Sequence, residues 1–267
     1  GTAAFTDSGN TGHTVTPTGN AFLGNGGTFT DSGNTGHTVS ENGNAQRETE
    51  QEFKFADDGV GYFMDGANDF LSIPDHADFD TSTNDFTIDF WFRLADPTVT
   101  SVFYSKTSSL FRAMVFGGSL LIRTEVDNTE QEFAYVPDTK WHHFELARSS
   151  GTVKVFIDGV EKDSYSAVTS SGDSNNLWIG SDNSPSQRLD GYMDEFRFSD
   201  TARHTSGFTP ETSQYASDAN TLLLIHGGEA KSGTTGSGAT FTDSGNTGHT
   251  VTENGNAIEA TGNFYKF

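Results

Sequence analysis

Phenylalanine alternates with polar residues along residues 85–92, DFTIDFWF, and this alternation restricts the fold more than any other feature of the chain. A period of two residues is typical of a β-strand whose apolar side faces a core. No segment shows the period of an amphipathic helix longer than one turn, so the chain is predicted to be all-β. Further strands are predicted at 60–65, 69–74, 101–106, 111–116, 119–126, 131–136, 141–148, 152–158, 160–165, 176–180, 190–198 and 221–226.

Two short turns show how neighbouring strands connect. Asp158-Gly159 follows an alternating run at 153–157 and suits a type I′ hairpin turn. Gly117-Gly118 separates FRAMVF from SLLIRTEV in the same way. A dozen short strands without intervening helices predict a two-sheet antiparallel sandwich of the jelly-roll type.

The string FTDSGNTGHTV occurs three times, at residues 5–15, 29–39 and 241–251. We call these the first, second and third copy of the repeat. Residues 40–55 also align without a gap on residues 252–267, which gives a unit of 212 residues (241 minus 29). Long sequence units that are repeated with few substitutions are typical of tandem arrays. We therefore predict a partial repeat at 1–27, a jelly-roll domain at 28–228, and the start of a following unit at 229–267, with Gly-, Ser-, Thr- and Asn-rich terminal segments.

The composition argues against several classes of partner. The 37 acidic and 15 basic side chains give a formal net charge of −22, which disfavours nucleic acid and anionic membranes. The longest apolar run, at 222–225, is too short for membrane insertion. The chain has no cysteine, which excludes disulfides and thiolate metal sites.

Six segments in order resemble the laminin-G-like branch of the concanavalin A-like lectin/glucanase superfamily. The resemblance covers residues 29 to about 210 and implies a jelly-roll sandwich of curved antiparallel sheets. Residues 208–257 resemble repeats in structural and fibre proteins of marine bacteriophages, which implies a virion or appendage location. The six segments are FTDSGNTGHTV, YFMDGANDFLSIPDHADFD, DFTIDFWFRL, WHHFELARSSGTVKVFIDGV, LWIGSD and GYMDEFRFSDTARHTSGFTP.

Asp194 is the residue that most directly suggests a metal. Alternation along GYMDEFRF places it on one face with Phe196 and Phe198, facing the core, where a carboxylate needs a cation or several hydrogen-bond donors. The resemblance implies a structural calcium between Asp194 and carbonyl groups near Gly66. The acidic, glycine-containing loop that includes Asp65 and Asp69 suits such an ion. The alternative is that Asp194 accepts hydrogen bonds from the backbone or arginine, and that 65–69 is a turn.

The Asp-Ser-Gly-Asn string of the repeat has a simpler interpretation than a metal loop. In the second copy Asp31, Asn34 and His37 lack the ligand spacing of an EF-hand. Asp and Asn side chains that cap a tight turn explain the same residues. The string is therefore interpreted as a turn.

Sugar binding would need an exposed aromatic ring beside polar groups. Trp91, Tyr104 and Tyr135 are the candidate platforms, whereas Trp141 and Trp178 lie in apolar strands and are expected to pack. Catalysis is not expected, because glucanases of the superfamily carry three acids at alternate positions of one strand and DFTIDFWF offers two. No residue is assigned a catalytic role.

Two functional hypotheses follow. The first is a non-enzymatic structural or assembly module of a repetitive extracellular filament, fibre or virion surface protein, whose partners are neighbouring copies of itself or other appendage proteins. Residues 241–267 would then pair with a neighbouring subunit or pack on their own domain. The second is a calcium-dependent carbohydrate-binding adhesin at a cell surface, with a surface glycan as its partner. An accessory domain of a polysaccharide-degrading enzyme is a third interpretation.

Overall fold

The chain folds into two compact units. One consists of Gly1–Glu52 with Asn263–Phe267, and the other of Phe53–Gly262. The computed structural model describes residues 5–7, 37–39, 60–79, 81, 84–106, 111–116, 119–123, 130–133, 135, 138–166, 174–182, 187–226, 241, 243–254 and 258–261. In the first unit, β1 (Phe5–Asp7) pairs antiparallel with β2 (His37–Val39), so the first copy of the repeat pairs with the second.

The regular secondary structure of the second unit is β-strand in the residues that the structure describes, apart from one 3-10 turn at Ala77–Phe79. None of these residues forms a helix able to cross a lipid bilayer. The strands are β3 (Val60–Asp65), β4 (Phe70–Ile73), β5 (Phe86–Leu94), β6 (Ser101–Lys106), β7 (Phe111–Phe116), β8 (Ser119–Arg123), β9 (Glu130–Phe133), β10 (His142–Ser149), β11 (Thr152–Ile157), β12 (Val160–Ser166), β13 (Leu177–Ile179), β14 (Asp190–Ser199), β15 (Thr221–Ile225), β16 (Thr252–Asn254) and β17 (Ile258–Thr261).

The strands form two antiparallel sheets that face each other across one core. The eight-stranded sheet has the order β12-β11-β10-β5-β14-β3-β17, and β15 pairs with the second half of β14. The seven-stranded sheet has the order β16-β4-β13-β6-β7-β8-β9. The predicted all-β jelly-roll sandwich is confirmed. The predicted strands between residues 60 and 225 lie within a few residues of the observed ones, whereas β16 and β17 were not among them.

Aromatic side chains dominate the core between the sheets. In β5, Phe86, Phe90 and Phe92 are at most 1% exposed, and Phe90 stacks on Phe144 and Phe196 with ring centroids 4.8 and 5.7 Å apart. Burying each such side chain contributes about 1.5–3 kcal/mol. The alternation read from the sequence is therefore the pattern that fills the core.

The hairpin between β11 and β12 has the predicted turn. Asp158 and Gly159 have φ angles of 52° and 73°, which are the positive values that a type I′ turn requires. A side chain at position 159 would also collide with the carbonyl oxygen of Phe208, which lies 1.8 Å from the position of an added Cβ. The predicted Gly117-Gly118 turn lies outside the described residues.

A bulge in β14 changes which of its residues face the core. Met193 and Phe196 both belong to the core, although strict alternation would put residues three apart on opposite faces. Glu195, with φ of 56°, lies in the bulge. Asp194 is fully buried, but it lies opposite Trp91, which belongs to a separate cluster on the other face. The predicted placement of Asp194 on the core face with Phe196 is therefore wrong.

Candidate functional site

The third copy of the repeat, residues 241–251, belongs to the second unit and packs beside β15. Phe241 is 4% exposed and belongs to the same core cluster as Leu223 and Ile225. At the other end of the copy, Val251 packs against this cluster as a partly buried side chain. Apolar contacts therefore anchor the copy at both ends.

Asp243 organises the turn of the third copy and attaches it to β15. Its Oδ1 accepts hydrogen bonds from the amides of Gly245 at 2.7 Å and Leu224 at 2.9 Å. Its Oδ2 accepts one from the amide of His249 at 2.7 Å. The bond from Gly245 closes an Asx turn, as the sequence predicted for this string. One carboxylate thus shapes the turn and holds it to a neighbouring strand.

The backbone of the turn binds a short surface that we define as residues 218–225, the loop before β15 and β15 itself, and call the receiving surface. The amide of Ser244 donates to the carbonyl of Leu224 at 2.6 Å, and the amide of Asn246 donates to that of Thr221 at 3.0 Å. The hydroxyl of Thr247 donates to the carbonyl of Leu222. The turn therefore follows the receiving surface along its length.

Gly245 is required by the close approach of the turn to the receiving surface. A Cβ at this position would lie 2.8 Å from both the Oδ1 of Asp243 and the carbonyl oxygen of Leu222. Real Cβ atoms essentially never show such distances.

In the second copy, Asp31 and Asn34 lie outside the described residues, and His37 lies in β2.

A histidine of the third copy also contacts the 3-10 turn of the sandwich. The Nε2 of His249 is 3.0 Å from the Oδ2 of Asp78, and its ring lies 4.8 Å from the ring of His76. Among the residues that the structure describes, these three form the group of histidine and acidic side chains that could hold a metal ion, with ligand atoms within 4.8 Å of one another. Two imidazoles and one carboxylate suit zinc better than calcium, which prefers oxygen.

The residues after the third copy add a strand to one edge of each sheet. β16 pairs with β4, and β17 pairs with β3 along Val60–Phe63. In the described sheets, β3 and β4 would otherwise be the end strands on this side. An open edge leaves unpaired N–H and C=O groups, which another strand can bind. Residues 241–261 therefore close one side of the sandwich.

Replacing Asp243 with alanine is expected to destabilise the second unit by about 2–4 kcal/mol, because a lost acceptor costs about 1–3 kcal/mol for each partly buried donor. Denaturant unfolding measures this loss. The matched control is Asp31→Ala, the same change in the second copy, which is expected to stay within about 0.5 kcal/mol of the parent chain. Equal losses in the two variants would contradict the assignment of the third copy to the receiving surface.

A second polar cluster lies on the outer face of the eight-stranded sheet, away from the core. The Nε and Nη2 of Arg197 donate to the two carboxylate oxygens of Asp89 at 3.0 and 2.7 Å. The guanidinium carbon is 4.0 Å from the ring centroid of Tyr215, whose hydroxyl is 2.7 Å from the Nε2 of His143. Burial alone would raise the pKa of Asp89, but the charge and hydrogen bonds of Arg197, together with the nearby His143 at 3.7 Å, hold it well below its usual range.

Two further acids extend this outer-face cluster. Glu145 lies opposite Asp89 in the sheet, and its Oε2 is 2.8 Å from the Nδ1 of His204. Burial raises the pKa of Glu145, and the hydrogen bond from His204 opposes this shift. Glu195 is paired in the same way with the Nδ1 of His226 at 2.7 Å. Asp89, Glu145 and Glu195 are each at most 1% exposed. Since His204 and His226 lie in the chain after β14, their contacts with these acids attach that chain to the sheet.

The structure does not bring the predicted calcium ligands together. Asp65 pairs with Asp190 of β14, so Asp65 lies about four strand positions, roughly 13 Å along the strand, from Asp194, and Gly66 lies one residue farther away. The amide of Ala67 donates to Asp65 at 2.9 Å, as in an Asx turn. A calcium ion at this loop stays a prediction.

The loop at residues 65–69 also binds groups of the protein. The Oδ2 of Asp69 accepts a hydrogen bond from the amide of Asp65 at 3.1 Å. The Nε of Arg188 donates to the carbonyl of Ala67 at 3.0 Å. The guanidinium of Arg188 thus places a positive charge beside the loop, where a cation would be repelled.

Two of the predicted sugar platforms are buried. Tyr104 is 0% exposed in the core, and Trp91 is 7% exposed in a cluster with Tyr215 and Leu224. Neither is an exposed ring, so this prediction is wrong for both residues. Trp91 was placed on the polar face of an alternating strand, but strands β5 and β6 are buried on both faces. Tyr135 is half-buried against the core.

The sequence reasoning missed most residues of both clusters. Glu195 and Arg197 lie one and three residues after Asp194, and charged residues next to phenylalanines inside one strand were the available signal. Asp78 and His76 carried no signal, because their contact with His249 joins residues 171 or more positions apart.

Comparisons with known proteins found several solved structures that are similar to this chain. A putative carbohydrate binding protein from Bacteroides ovatus has a TM-score of 0.51 and 11% identity over 88% of this chain and 68% of its own. Domain 4 of a GH43 extracellular arabinanase from Geobacillus stearothermophilus has a TM-score of 0.42 and 21% identity over 53% of this chain and 71% of its own. Domains LG4-5 of the mouse laminin alpha1 chain have a TM-score of 0.43 and 15% identity over 61% of this chain and 48% of that one.

At 11% identity the similarity to the Bacteroides ovatus protein concerns the fold alone. No curated protein matches the chain. A laminin G family model, described as the concanavalin A-like lectin/glucanases superfamily, matches residues 65–206, which are more than half of the 267 residues. The chain belongs to the concanavalin A-like lectin/glucanases superfamily.

Proposed function

We propose that the protein is a non-enzymatic structural module of a repetitive extracellular filament, fibre or virion surface protein. The observation that carries this proposal is the docking of the third copy of the repeat. Residues 241–261 complete the core and one edge of each sheet of the sandwich, and the string of the third copy also precedes the sandwich in the sequence, at residues 29–39. A segment that completes one domain and also precedes it suits a chain of repeated units.

The buried acids favour a structural role over a catalytic one. General acids and bases must reach the bond that is cleaved. Asp89, Glu145 and Glu195 instead form ion pairs and hydrogen bonds beneath the chain that follows β14. Their partners attach that chain to the sheet, which rigidifies the module.

Carbohydrate binding is the second candidate function, and one observation favours it. Phe63, Tyr192 and Trp141 form a row of half-buried rings, with centroids 5.0 Å apart for the first pair and 6.3 Å for the second. The guanidinium of Arg93 lies 5.5 Å from the ring of Tyr192. Sugars bind aromatic rings with polar groups beside them.

A glycan array separates the two functions. We expect the full chain to bind no sugar, with calcium or with a chelator, and to release no sugar from polysaccharides. Calcium-dependent binding to a defined sugar would replace the structural proposal with the lectin, and the variant Trp141→Ala would then lose that binding. Release of sugar from a polysaccharide would contradict the non-enzymatic assignment.

A further inference from the structure

The repeat also indicates how successive units are joined. We propose that each copy of the repeat docks on the unit that precedes it, so that residues 29–39 bind the receiving surface of another copy of this unit and residues 40–49 pair with its strands β4 and β3. This inference rests on the proposed function and adds the partner and its binding surface. The partner is the preceding unit of the same polypeptide.

The second copy contains every side chain with which the third copy binds. Phe241 fills the core, Asp243 accepts three amide hydrogen bonds, and His249 contacts Asp78. Gly245 allows the close approach to β15. The corresponding residues 29, 31, 37 and 33 are the same four amino acids. An identical string presents the same groups to an identical receiving surface.

The residues after the second copy correspond to the two edge strands. With the offset of 212, β16 corresponds to residues 40–42 and β17 to residues 46–49. Residues 40–42 read SEN against TEN, whereas residues 46–49 differ at three of four positions (QRET against IEAT). Strand addition uses main-chain hydrogen bonds, so β17 tolerates this divergence.

The same correspondence gives the length of the tether between units. β17 ends at Thr261, which corresponds to Thr49, and β3 begins at Val60. Residues 50–59 are thus the chain left between the docked segment and the next sandwich. Ten extended residues span at most about 33–36 Å. Neighbouring sandwiches in the array are therefore held close together.

The present chain supplies its receiving surface with the third copy. Its second copy follows no sandwich within these residues, and His37–Val39 pairs with Phe5–Asp7 of the first copy. The joint between units can therefore be tested in a two-unit chain, in which residues 1–240 are followed by residues 29–267. The copy between the two sandwiches is the joint copy.

Crosslinking of cysteines reports on docking, because the chain has no cysteine of its own. Ser217 and Asn246 are exposed, with side-chain oxygens 3.3 Å apart, and Asn246 corresponds to Asn34. The test variant carries Ser217→Cys in the first sandwich of the two-unit chain and Asn34→Cys in the joint copy. A short bis-maleimide reagent is added, and the products are separated by mass and mapped by protease digestion.

Two matched pairs calibrate the crosslink. The positive control carries Ser217→Cys in the second sandwich of the two-unit chain and Asn246→Cys in the last copy of the repeat. The negative control carries Ser217→Cys in the first sandwich of the two-unit chain and Asn10→Cys in the first copy of the repeat. We expect the test pair to crosslink within one chain to the same extent as the positive control, and at least tenfold more than the negative control.

Three outcomes would overturn the inference. The first is a test pair that crosslinks no more than the negative control. The second is crosslinking between two chains in place of crosslinking within one chain. The third is a crosslink that is unchanged when the joint copy carries Phe29→Ala. Ser217 is exposed, as is Asn246, to which position 34 corresponds. We therefore expect these variants to fold, and unfolding curves of the two-unit chains check this directly. A silent glycan array with a failed crosslink would leave the structural proposal and remove the joint, whereas sugar binding would remove the structural proposal itself.

Discussion

Replacing Phe241 with alanine is expected to lower the free energy of unfolding of the second unit by about 3–5 kcal/mol. The side chain is 4% exposed in the core cluster that it shares with β15, so the truncation removes apolar burial and leaves a cavity. Denaturant unfolding gives the free energy. Hydrogen exchange gives its location, because β16 and β17 follow this anchor in the chain and are expected to lose protection first.

The repeat itself provides the controls for this variant. Phe29→Ala and Phe5→Ala make the same change in the second and first copies, and both are expected to leave the unfolding of the second unit unchanged. Phe241→Leu keeps most of the apolar volume and should cost less than the alanine variant. If Phe29→Ala destabilised the second unit as strongly as Phe241→Ala, the third copy would not be the segment that completes this sandwich.

Replacing Arg197 with methionine is expected to cost about 3–5 kcal/mol, the usual loss when one partner of a buried ion pair is removed. Asp89 would then keep its charge in a buried site without the guanidinium that neutralises it. The matched control is Lys154→Met, which breaks the exposed pair with Glu161 and should cost less than about 1 kcal/mol. A loss no larger than this control would mean that the buried pair does not hold the outer-face cluster.

The dependence on pH distinguishes a lost charge pair from lost packing. In the parent chain the pKa of Asp89 is lowered by folding, so its ionised form stabilises the fold above the unfolded pKa of about 3.9, and this contribution falls away below that pH. Without Arg197, burial raises the pKa of Asp89 instead, so the variant should gain stability from protonation. The difference between the two proteins should therefore shrink as the pH falls from 7 to 4.

A double variant completes the test of the ion pair. Asp89→Leu together with Arg197→Met removes both charges and replaces them with apolar groups. Such replacements of buried pairs are often neutral or stabilising, so the double variant should be more stable than Arg197→Met alone. A double variant less stable than the single one would indicate that Asp89 stabilises the fold without Arg197, through its neighbour His143.

The strands and their turns were predictable because both depend on neighbours in the sequence. The alternation in residues 85–92 identified β5, and Asp158-Gly159 identified a turn with two positive φ angles. The Asp-Ser-Gly-Asn string predicted an Asx turn, which the third copy forms through Asp243 and Gly245. These patterns report backbone geometry over two to five residues, so a single sequence contains them.

The candidate sites were less predictable, because they depend on which strand faces which. Asp194 was assigned to the core face, and the bulge at Glu195 reversed that assignment. Tyr104 was a candidate platform, but burial of both faces of β6 placed it in the core. One irregular residue or one covering segment changes the exposure of every side chain beside it.

The sequence by itself determined that the chain is an antiparallel sandwich with a repeated turn-forming string at both ends, because periodicity and repetition are local properties. The tertiary structure alone decided that the third copy closes the edges beside β3 and β4. It also decided the pairing of Asp89 with Arg197 and of Asp78 with His249. These residues are 108 and 171 positions apart, and only the folded sheets bring them within hydrogen-bond distance.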